Sequence, residues 1–484
     1  MGWKETAEPV LTRMPAVQRP EGHVPFKRKL GWTAGILVLY FFLTNVPIWG
    51  VQEGAGADLF GQFRSLLAGS QGSVLQLGIG PIVTASIVLQ LLGGANLLGL
   101  DTNDPRDQAL YQGLQKVLVL AMICLTGLPL VFLGNFLPPG SVFGMTGTPV
   151  SVLIFLQIAV GGILVLFMDE VVSKWGVGSG IGLFIVAGVS QSLVTGIIDP
   201  SRGILATWYS IVVGQLSVPP LLTADGVSFL LMQASILAIV TTAFIYVVVV
   251  YAESVRVEIP LSHARVKGAR GRFPVKLIYA SVLPMILVRA VQANIQFLGK
   301  LLYSQMGDGM PSWLGVYATS GGTTNVTGGL FYYLAPIHSP GDWMWWVTGV
   351  TQASWQVILR VTIDLSFMII GGAIFAIFWV ETADMGPEST ARQIQNSGMQ
   401  IPGFRQNVGV IEKVMERYIP QVTVIGGAIV GLLAVLANML GTIGSVTGTG
   451  LLLTISITYK LYEEIAEEQL MDMHPMMRSM FGNE

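Results

Sequence analysis

Long apolar runs without charge, separated by short polar segments, dominate the chain. A bilayer core about 30 Å thick is crossed by about 20 apolar residues in a helix. The turn signals at Pro138–Gly140 and Gly441–Gly450 divide two of the runs. The pattern therefore predicts ten transmembrane helices in an all-α polytopic membrane protein. The runs cover residues 30–52, 65–100, 117–168, 175–198, 226–252, 277–299, 365–380 and 418–459.

The basic residues predict how these helices are oriented. An even number of spans places both termini on one side of the membrane, and 21 of the 26 Lys and Arg residues then fall in segments on that side. An excess of Lys and Arg is typical of cytoplasmic segments. We therefore expect a multi-pass protein of the cell membrane with both termini in the cytoplasm. The exceptions are Arg64, Arg202, Arg289, Lys300 and Arg360.

The spans divide evenly about the segment 199–225, an apolar stretch broken by Pro219 and Pro220 that we assign to the external surface. An odd number of spans in each half gives the halves opposite orientations, as in inverted repeats. We therefore expect two inverted five-helix halves. The predicted parts are a cytoplasmic segment 1–29, a first half 30–198, the external connection 199–225, a second half 226–462 with cytoplasmic arms 252–276 and 381–419, and a cytoplasmic tail 463–484.

The composition excludes several other classes of protein. Apolar residues make up 52% of the chain and charged residues 11%, against about 25% charged in ordinary globular proteins. The formal net charge of −2 provides no global positive field for nucleic acid. Cys124 is the only cysteine, and the four histidines are widely spaced. We therefore expect no internal disulfide, no metal site and no cofactor.

Ionisable residues inside the predicted spans are few. Arg360 and Asp364 stand four residues apart, a helical spacing at which they can pair with each other. Arg289 is the exception, and a charge at that depth is a functional candidate. The scarcity argues against an ion-coupled transporter, which needs carboxylates or a charge relay at the midplane. It also argues against a membrane enzyme, because no catalytic pair can be assembled.

A short amphipathic segment follows the first span. Asp58 can cap a helix over residues 57–68. Its apolar positions have helical spacing; they are Leu59, Phe60, Phe63, Leu66 and Leu67. About a dozen residues are too few to cross a bilayer. The helix either lies on the outer membrane face or acts as a movable stopper, and the residues alone leave both interpretations open.

The predicted cytoplasmic loop 252–276 carries six basic residues against two acidic ones. Apolar residues alternate along its first part at Val255, Val257, Ile259 and Leu261, which predicts a short hairpin arm. The surplus of positive charge favours a docking surface suited to RNA phosphate or acidic protein. The positive-inside tendency alone is the alternative explanation.

Several strings along the chain resemble those of one family. They are LGIGPIVTASIVLQLL (77–92), DEVVSKWGVGSGIGLFIVAGVSQ (169–191), VYAESVRVEIPLSHARVKG (250–268), ANIQ (293–296), FWVET (378–382), SGMQIPGFR (397–405), ERYIPQVTV (416–424) and TGTGLLLT (447–454). From about residue 25 to about residue 475, and in the same order, they resemble the SecY family, the channel subunit of the Sec protein translocon. The chain looks closest to the archaeal and eukaryotic branch of that family.

The resemblance implies a fold and a function. Two five-span halves would clamp around a central pore, which passes unfolded polypeptides for secretion and releases membrane-protein helices sideways into the bilayer. The pore waist is a ring of apolar side chains, matched here by Ile79, Val83, Ile181, Ile185, Ile286 and Leu453. The segment 57–68 matches the family's re-entrant plug, with Asp58, Leu59, Phe60, Phe63, Arg64, Leu66 and Leu67 as its residues.

The resemblance also implies a lateral gate and a set of partners. Thr84 and Asn294 match polar positions that line the gate, and Arg265, Lys267 and Arg405 match positions on the ribosome-docking arms. The expected partners are two small single-span subunits (a SecE-type and a beta or SecG-type), the ribosome with its nascent chain, signal sequences, nascent membrane helices and the lipid bilayer.

Two positions depart from the family pattern. Arg289 lies one helical turn from Ile286, and Gln108 stands where the family leads us to expect a basic residue. The function we expect is that of a passive channel and not of an enzyme. A ten-span secondary transporter of a small solute is the alternative, but an aliphatic waist with few midplane charges favours the channel.

Overall fold

The structure of the protein is a computed structural model. It describes residues 8–22, 24–52, 67–94, 98–99, 104–133, 136–142, 144–200, 203–216, 219, 226, 229, 235–263, 270–278, 283–320, 323–348, 352–383, 385–396, 399–400, 408–444 and 446–473.

Helices account for most of the described residues. They are α1 (Phe26–Thr44), α2 (Gly80–Gly94), α3 (Pro105–Leu128), α4 (Thr148–Trp175), α5 (Gly180–Ile198), α6 (Ile204–Val212), α7 (Ile236–Ser254), α8 (Leu283–Met306), α9 (Leu330–Tyr333), α10 (Trp345–Thr348), α11 (Ser354–Thr382), α12 (Pro387–Asn396), α13 (Val408–Leu440) and α14 (Gly448–Met473). A π-helical turn, Pro129–Leu133, continues α3, and 3-10 turns lie at Gly307–Gly309 and Pro340–Asp342.

Seven of the described helices are long and apolar enough to cross a membrane; they are α3 with its π-helical turn, α4, α5, α7, α8, α11 and α13. The helices α1, α2 and α14 correspond to the other three predicted spans. The prediction of an all-α polytopic membrane protein is confirmed. The apolar connection after α5 contains the short helix α6.

Several helices differ in length from the apolar runs that predicted them, and two of these are informative. The run 65–100 forms only the 15-residue helix α2, because the described residues before it fold as turns. The run 365–380 is part of the 29-residue helix α11, which begins at Ser354. Arg360 and Asp364 therefore lie inside this helix, where polar groups from other elements contact them.

Among the described residues, five strands form two small sheets. The strands β1 (Arg256–His263) and β2 (Arg270–Lys276) pair antiparallel, which confirms the predicted hairpin arm, and β5 (Met399–Gln400) pairs with β1. The strands β3 (Val316–Ser320) and β4 (Thr323–Gly328) form a second hairpin between α8 and α9.

The last helix, α14, contacts helices from both halves of the chain. It packs on α1 and α5 of the first half and on α7, α8 and α13 of the second. Near its C-terminal end, Glu468 pairs with Lys29 of α1 at 2.5 Å, and Glu463 pairs with Lys276 of β2. The helix α2 contacts α8 and α11 of the second half, and the π-helical turn that continues α3 contacts α8 as well. The two halves therefore meet along α14, along α2 and at this π-helical turn.

Candidate functional site

The six residues assigned to the pore ring come from four parts of the fold. Ile79 directly precedes α2, and the backbone amide of Val83 donates to the carbonyl of Ile79 at 3.0 Å. Ile181 and Ile185 lie one turn apart on α5. The remaining two, Ile286 and Leu453, lie on α8 and α14. Both halves of the chain thus contribute aliphatic side chains.

All six side chains belong to one apolar cluster. Ile79, Ile185 and Leu453 are 0% exposed, Val83 and Ile286 are nearly as deeply buried, and Ile181 packs against the cluster from its edge. Aliphatic groups from both halves are what a closed, dewetted waist requires. The cluster is large and includes much of the protein core, so the assignment of these six to the ring stays a prediction.

The chain folds back on itself just before α2. The amide of Ile79 donates to the carbonyl oxygen of Leu67 at 2.8 Å. Gly78 has φ of +55°, and a Cβ there would lie 2.1 Å from that same oxygen. The hydroxyl of Tyr40 on α1 donates to the carbonyl of Ala68 at 3.0 Å. These contacts hold residues 67 and 68 against the first residue of the predicted ring.

Most of the predicted plug lies outside the described residues; this applies to Asp58, Leu59, Phe60, Phe63, Arg64 and Leu66. Leu67 is described and is buried in the apolar cluster that contains the ring residues. It lies in a turn with Ala68, whose φ is +51°. The predicted helix 57–68 therefore does not extend as far as its last two residues.

The two predicted lateral-gate residues are in contact. The side-chain amide of Asn294 on α8 donates to the hydroxyl of Thr84 on α2 at 3.1 Å, and that hydroxyl donates to the carbonyl of Gly80 at 2.9 Å. Both side chains are partly buried. A small cleft beside them is lined by Leu67, so the residue that ends the predicted plug lies next to this seam.

Arg289, which the sequence marks as unusual, is buried on α8 at 2% exposure. Its NH1 lies 3.6 Å from Oδ1 of Asp364 on α11 and donates to Oε1 of Gln292 at 2.6 Å. Its Nε donates to the hydroxyl of Thr449 on α14 at 3.2 Å. Gln292 in turn donates to Asp364 at 2.9 Å. These four residues form a buried polar cluster, the Arg289 cluster.

The prediction that Arg360 can pair with Asp364, four residues away, is wrong. Arg360 donates to the backbone carbonyls of Ala335 and Pro336 at 3.1 and 2.7 Å and lies over the ring of Tyr332 at 4.9 Å. Asp364 belongs to the Arg289 cluster instead, and its Oδ2 accepts from the amide of Ile337 at 3.2 Å. Partners distant in the sequence have displaced the neighbour four residues away.

Sequence reasoning also missed the uncharged members of this cluster. Gln292 and Thr449 stand in apolar runs, and Asn438 on α13 supports Thr449 by accepting from its amide at 2.9 Å. The available signal was weak: a polar side chain inside a predicted span often bonds to another helix. That signal does not identify which helix supplies the partner.

The predicted docking residues Arg265, Lys267 and Arg405 lie outside the described residues. The described parts of the two arms do pack together. Ile259 and Val275 of the hairpin share a buried apolar cluster with Ile394 of α12 and Ile411 of α13. The described parts of the arms therefore form one packed unit, which is attached to α14 by the ion pair between Lys276 and Glu463.

Comparisons with known proteins agree with this arrangement. The SecY family model matches residues 73–462, and the model for the plug domain of Sec61p matches residues 38–72. The protein translocase subunit SecY of Halobacterium salinarum is 77% identical, over 100% of this chain and 99% of that protein.

Solved structures are similar over almost the whole chain. One described as a protein conducting channel has a TM-score of 0.79 and 38% identity, covering 96% of this chain and 98% of the other. Sec61 in the canine ribosome-channel complex from the endoplasmic reticulum matches with a TM-score of 0.76, 38% identity and the same coverage. The 77% identity over the full length and the family match to residues 73–462 lead to one conclusion. The chain belongs to the SecY family.

Proposed function

We propose that the chain is the central pore-forming subunit of a Sec translocon. It is a passive protein-conducting channel for the secretion of unfolded polypeptides and the lateral insertion of membrane-protein helices. The observation that carries this function is the burial of aliphatic side chains from α2, α5, α8 and α14 in one cluster that both halves build. The relatives are translocase subunits, and they give no support to a transporter of small solutes.

The proposed waist works by excluding water. Isoleucine, valine and leucine offer no hydrogen bond to water or ions, so a narrow ring of them dewets when the channel is closed. The same side chains present no polar partner to which a moving polypeptide would stick. The burial of Ile79, Ile185 and Leu453 supports a tightly closed resting state.

The proposed plug reinforces this closure. Its support is the plug-domain match over residues 38–72, together with the bond that joins Leu67 to Ile79. When a polypeptide enters, the plug leaves the pore, and residues 67 and 68 act as its tether. The interpretation as a movable stopper is therefore preferred to that of a helix resting on the outer membrane face.

The proposed lateral gate lies between α2 and α8, where Asn294 bonds to Thr84. A single bond between neutral groups contributes about 1 kcal/mol net. A signal helix that enters the pore can replace that contact with its own burial in lipid. The seam thus selects for segments that are apolar enough to prefer the bilayer.

The proposed orientation places both termini and both arms in the cytoplasm, with the two five-span halves inverted about residues 199–225. Arg265, Lys267 and Arg405 are proposed to bind the ribosome, which supplies the nascent chain. Similarity to Sec61 in a ribosome-channel complex supports this partner. Two small single-span subunits, a SecE-type and a beta or SecG-type, are proposed to complete the channel.

The experiment that tests the channel is the triple variant Ile79→Asn, Ile181→Asn and Ile286→Asn. Three amides at the waist hold water there, so we expect a steady ion leak in planar bilayers. We also expect the channel to translocate clients with weaker signal sequences than the wild type accepts. The matched control replaces the same three residues with Leu, which keeps them apolar and should keep the channel closed. With protein levels matched, an ion-tight Asn variant would show that these residues do not form the waist.

A further inference from the structure

We propose that Arg289 is a positioning residue that holds α8 to the rest of the second half. The wall of the pore then parts between α2 and α8 and not between α8 and the helices behind it. The direction of opening rests on the proposed channel function. The restraint on α8 does not, because it is a property of the empty protein.

The contacts of Arg289 extend from α8 in two directions. Its guanidinium faces the carboxylate of Asp364 on α11 and the hydroxyl of Thr449 on α14. Gln292, on the next turn of α8, adds a bond to Asp364 and one to the carbonyl of Leu334 at 3.3 Å. Two residues of α8 therefore connect it to two helices and to the chain segment that precedes α11.

The chemistry of these contacts makes separation of α8 from α11 costly. The side chains of Arg289 and Asp364 are 2% and 0% exposed. Pulling the helices apart would leave each charge buried without its partner, which is among the most unfavourable changes within a protein. The contact between α2 and α8 instead combines apolar packing with a partly buried bond between a neutral amide and a hydroxyl. Separation of α8 from α2 therefore leaves no buried charge without a partner, whereas separation of α8 from α11 leaves two.

The Arg289 cluster specifies a position more than it adds stability. Replacing a buried ion pair by apolar residues of similar volume is often neutral or stabilising. Hydrogen bonds to a charged group form in one arrangement, whereas methyl and methylene groups can slide past one another. A double apolar variant should therefore keep the fold and lose the fixed place of α8.

The test measures the position of α8 directly in the complete protein without any client. In a Cys124→Ala background, spin labels are placed at Leu298→Cys on α8 and Ile370→Cys on α11, which are both exposed. A second pair joins Leu298→Cys to Leu91→Cys on α2. Distance distributions are recorded in lipid nanodiscs, together with the apparent Tm.

Three variants separate position from stability. Arg289→Met alone should lower the apparent Tm by about 5 °C, because Asp364 loses its charged partner. Arg289→Met combined with Asp364→Leu should recover part of that loss, since Gln292 and the amide of Ile337 still lose a bond, and should show a broad distribution of distances between α8 and α11. Arg360→Met is the matched control: it removes a charge from α11 outside the Arg289 cluster and should leave the distribution narrow.

A narrow, wild-type distribution in the double variant would overturn the proposal, because apolar packing alone would then position α8. Equal broadening by Arg360→Met would overturn it as well. Neither result bears on the channel itself, which the ion leak of the Asn variant tests separately. If the leak is absent while the distributions broaden as expected, the restraint on α8 stands and the proposed pore is wrong.

Discussion

Gly78 is the residue at which backbone geometry, the end of the plug and the predicted ring meet. Its φ of +55° lies in the left-handed region, which glycine adopts without a steric cost. Its missing side chain leaves room for the carbonyl oxygen of Leu67, which then bonds to the amide of Ile79. Any larger residue disturbs both the turn and this bond.

We expect Gly78→Ala to destabilise the resting state by about 2 kcal/mol or more, from backbone strain together with the clash. The displaced Leu67 should also loosen the plug, so the resting ion conductance in planar bilayers should rise. Gly72→Ala is the matched control, because Gly72 has φ of +70° but no atom near its missing Cβ. It should lower the apparent Tm slightly and leave the conductance unchanged. Equal conductance in Gly78→Ala and Gly72→Ala would contradict the proposal that residues 67 and 68 tether the plug.

At the scale of elements, the predictable features were the local ones. Apolar length determines whether a helix can span a bilayer, and each predicted span corresponds to a described helix. The start of α11 was missed because Arg360 and Asp364 ended the apolar run, while their partners come from distant parts of the chain. The family resemblance assigned Thr84 and Asn294 to one gate, but their direct contact was not predicted, because no spacing rule brings α2 to α8.

The seam between α2 and α8 gives the next prediction. The double variant Thr84→Val and Asn294→Leu replaces a polar contact with an apolar one, so the closed seam should become more stable. A gain of about 1 kcal/mol would reduce the translocation of a client with a weak signal sequence about fivefold. Clients with strongly apolar signals should be affected less. If the translocation of clients with weak and with strong signal sequences is unchanged, the contact between Thr84 and Asn294 takes no part in gating.

The two arms, 252–276 and 381–419, give a prediction about docking. Reversal of Arg265, Lys267 and Arg405 to Glu should weaken binding to ribosomes, and wild-type binding should fall steeply as salt is raised, because phosphate contacts release counterions. Reversal of Arg392 on α12, which is exposed and paired with Glu388, is a control on the same arm. Binding that is insensitive to salt and tolerates the triple reversal would refute the proposal that these residues bind the ribosome by electrostatic attraction.

At the scale of the whole molecule, orientation can be tested by labelling. Asn325 is exposed on the hairpin of β3 and β4, which the proposed topology places outside the cell. In a Cys124→Ala background, Asn325→Cys should react with a membrane-impermeant thiol reagent in intact cells. Arg392→Cys on the cytoplasmic arm should react only after lysis. The reverse pattern would invert the proposed topology.

The unequal joints between the two halves have a mechanical consequence. Along α14 the halves are held by helix packing and by the ion pair of Lys29 with Glu468, whereas the described residues of α2 and α8 pack together with one neutral hydrogen bond and no ion pair. A pressure that acts equally in all directions from inside the pore opens such a wall at its weakest joint. The two halves therefore separate between α2 and α8 and stay joined along α14. Any segment that expands the pore therefore leaves it between α2 and α8, and no separate site has to recognise the orientation of that segment.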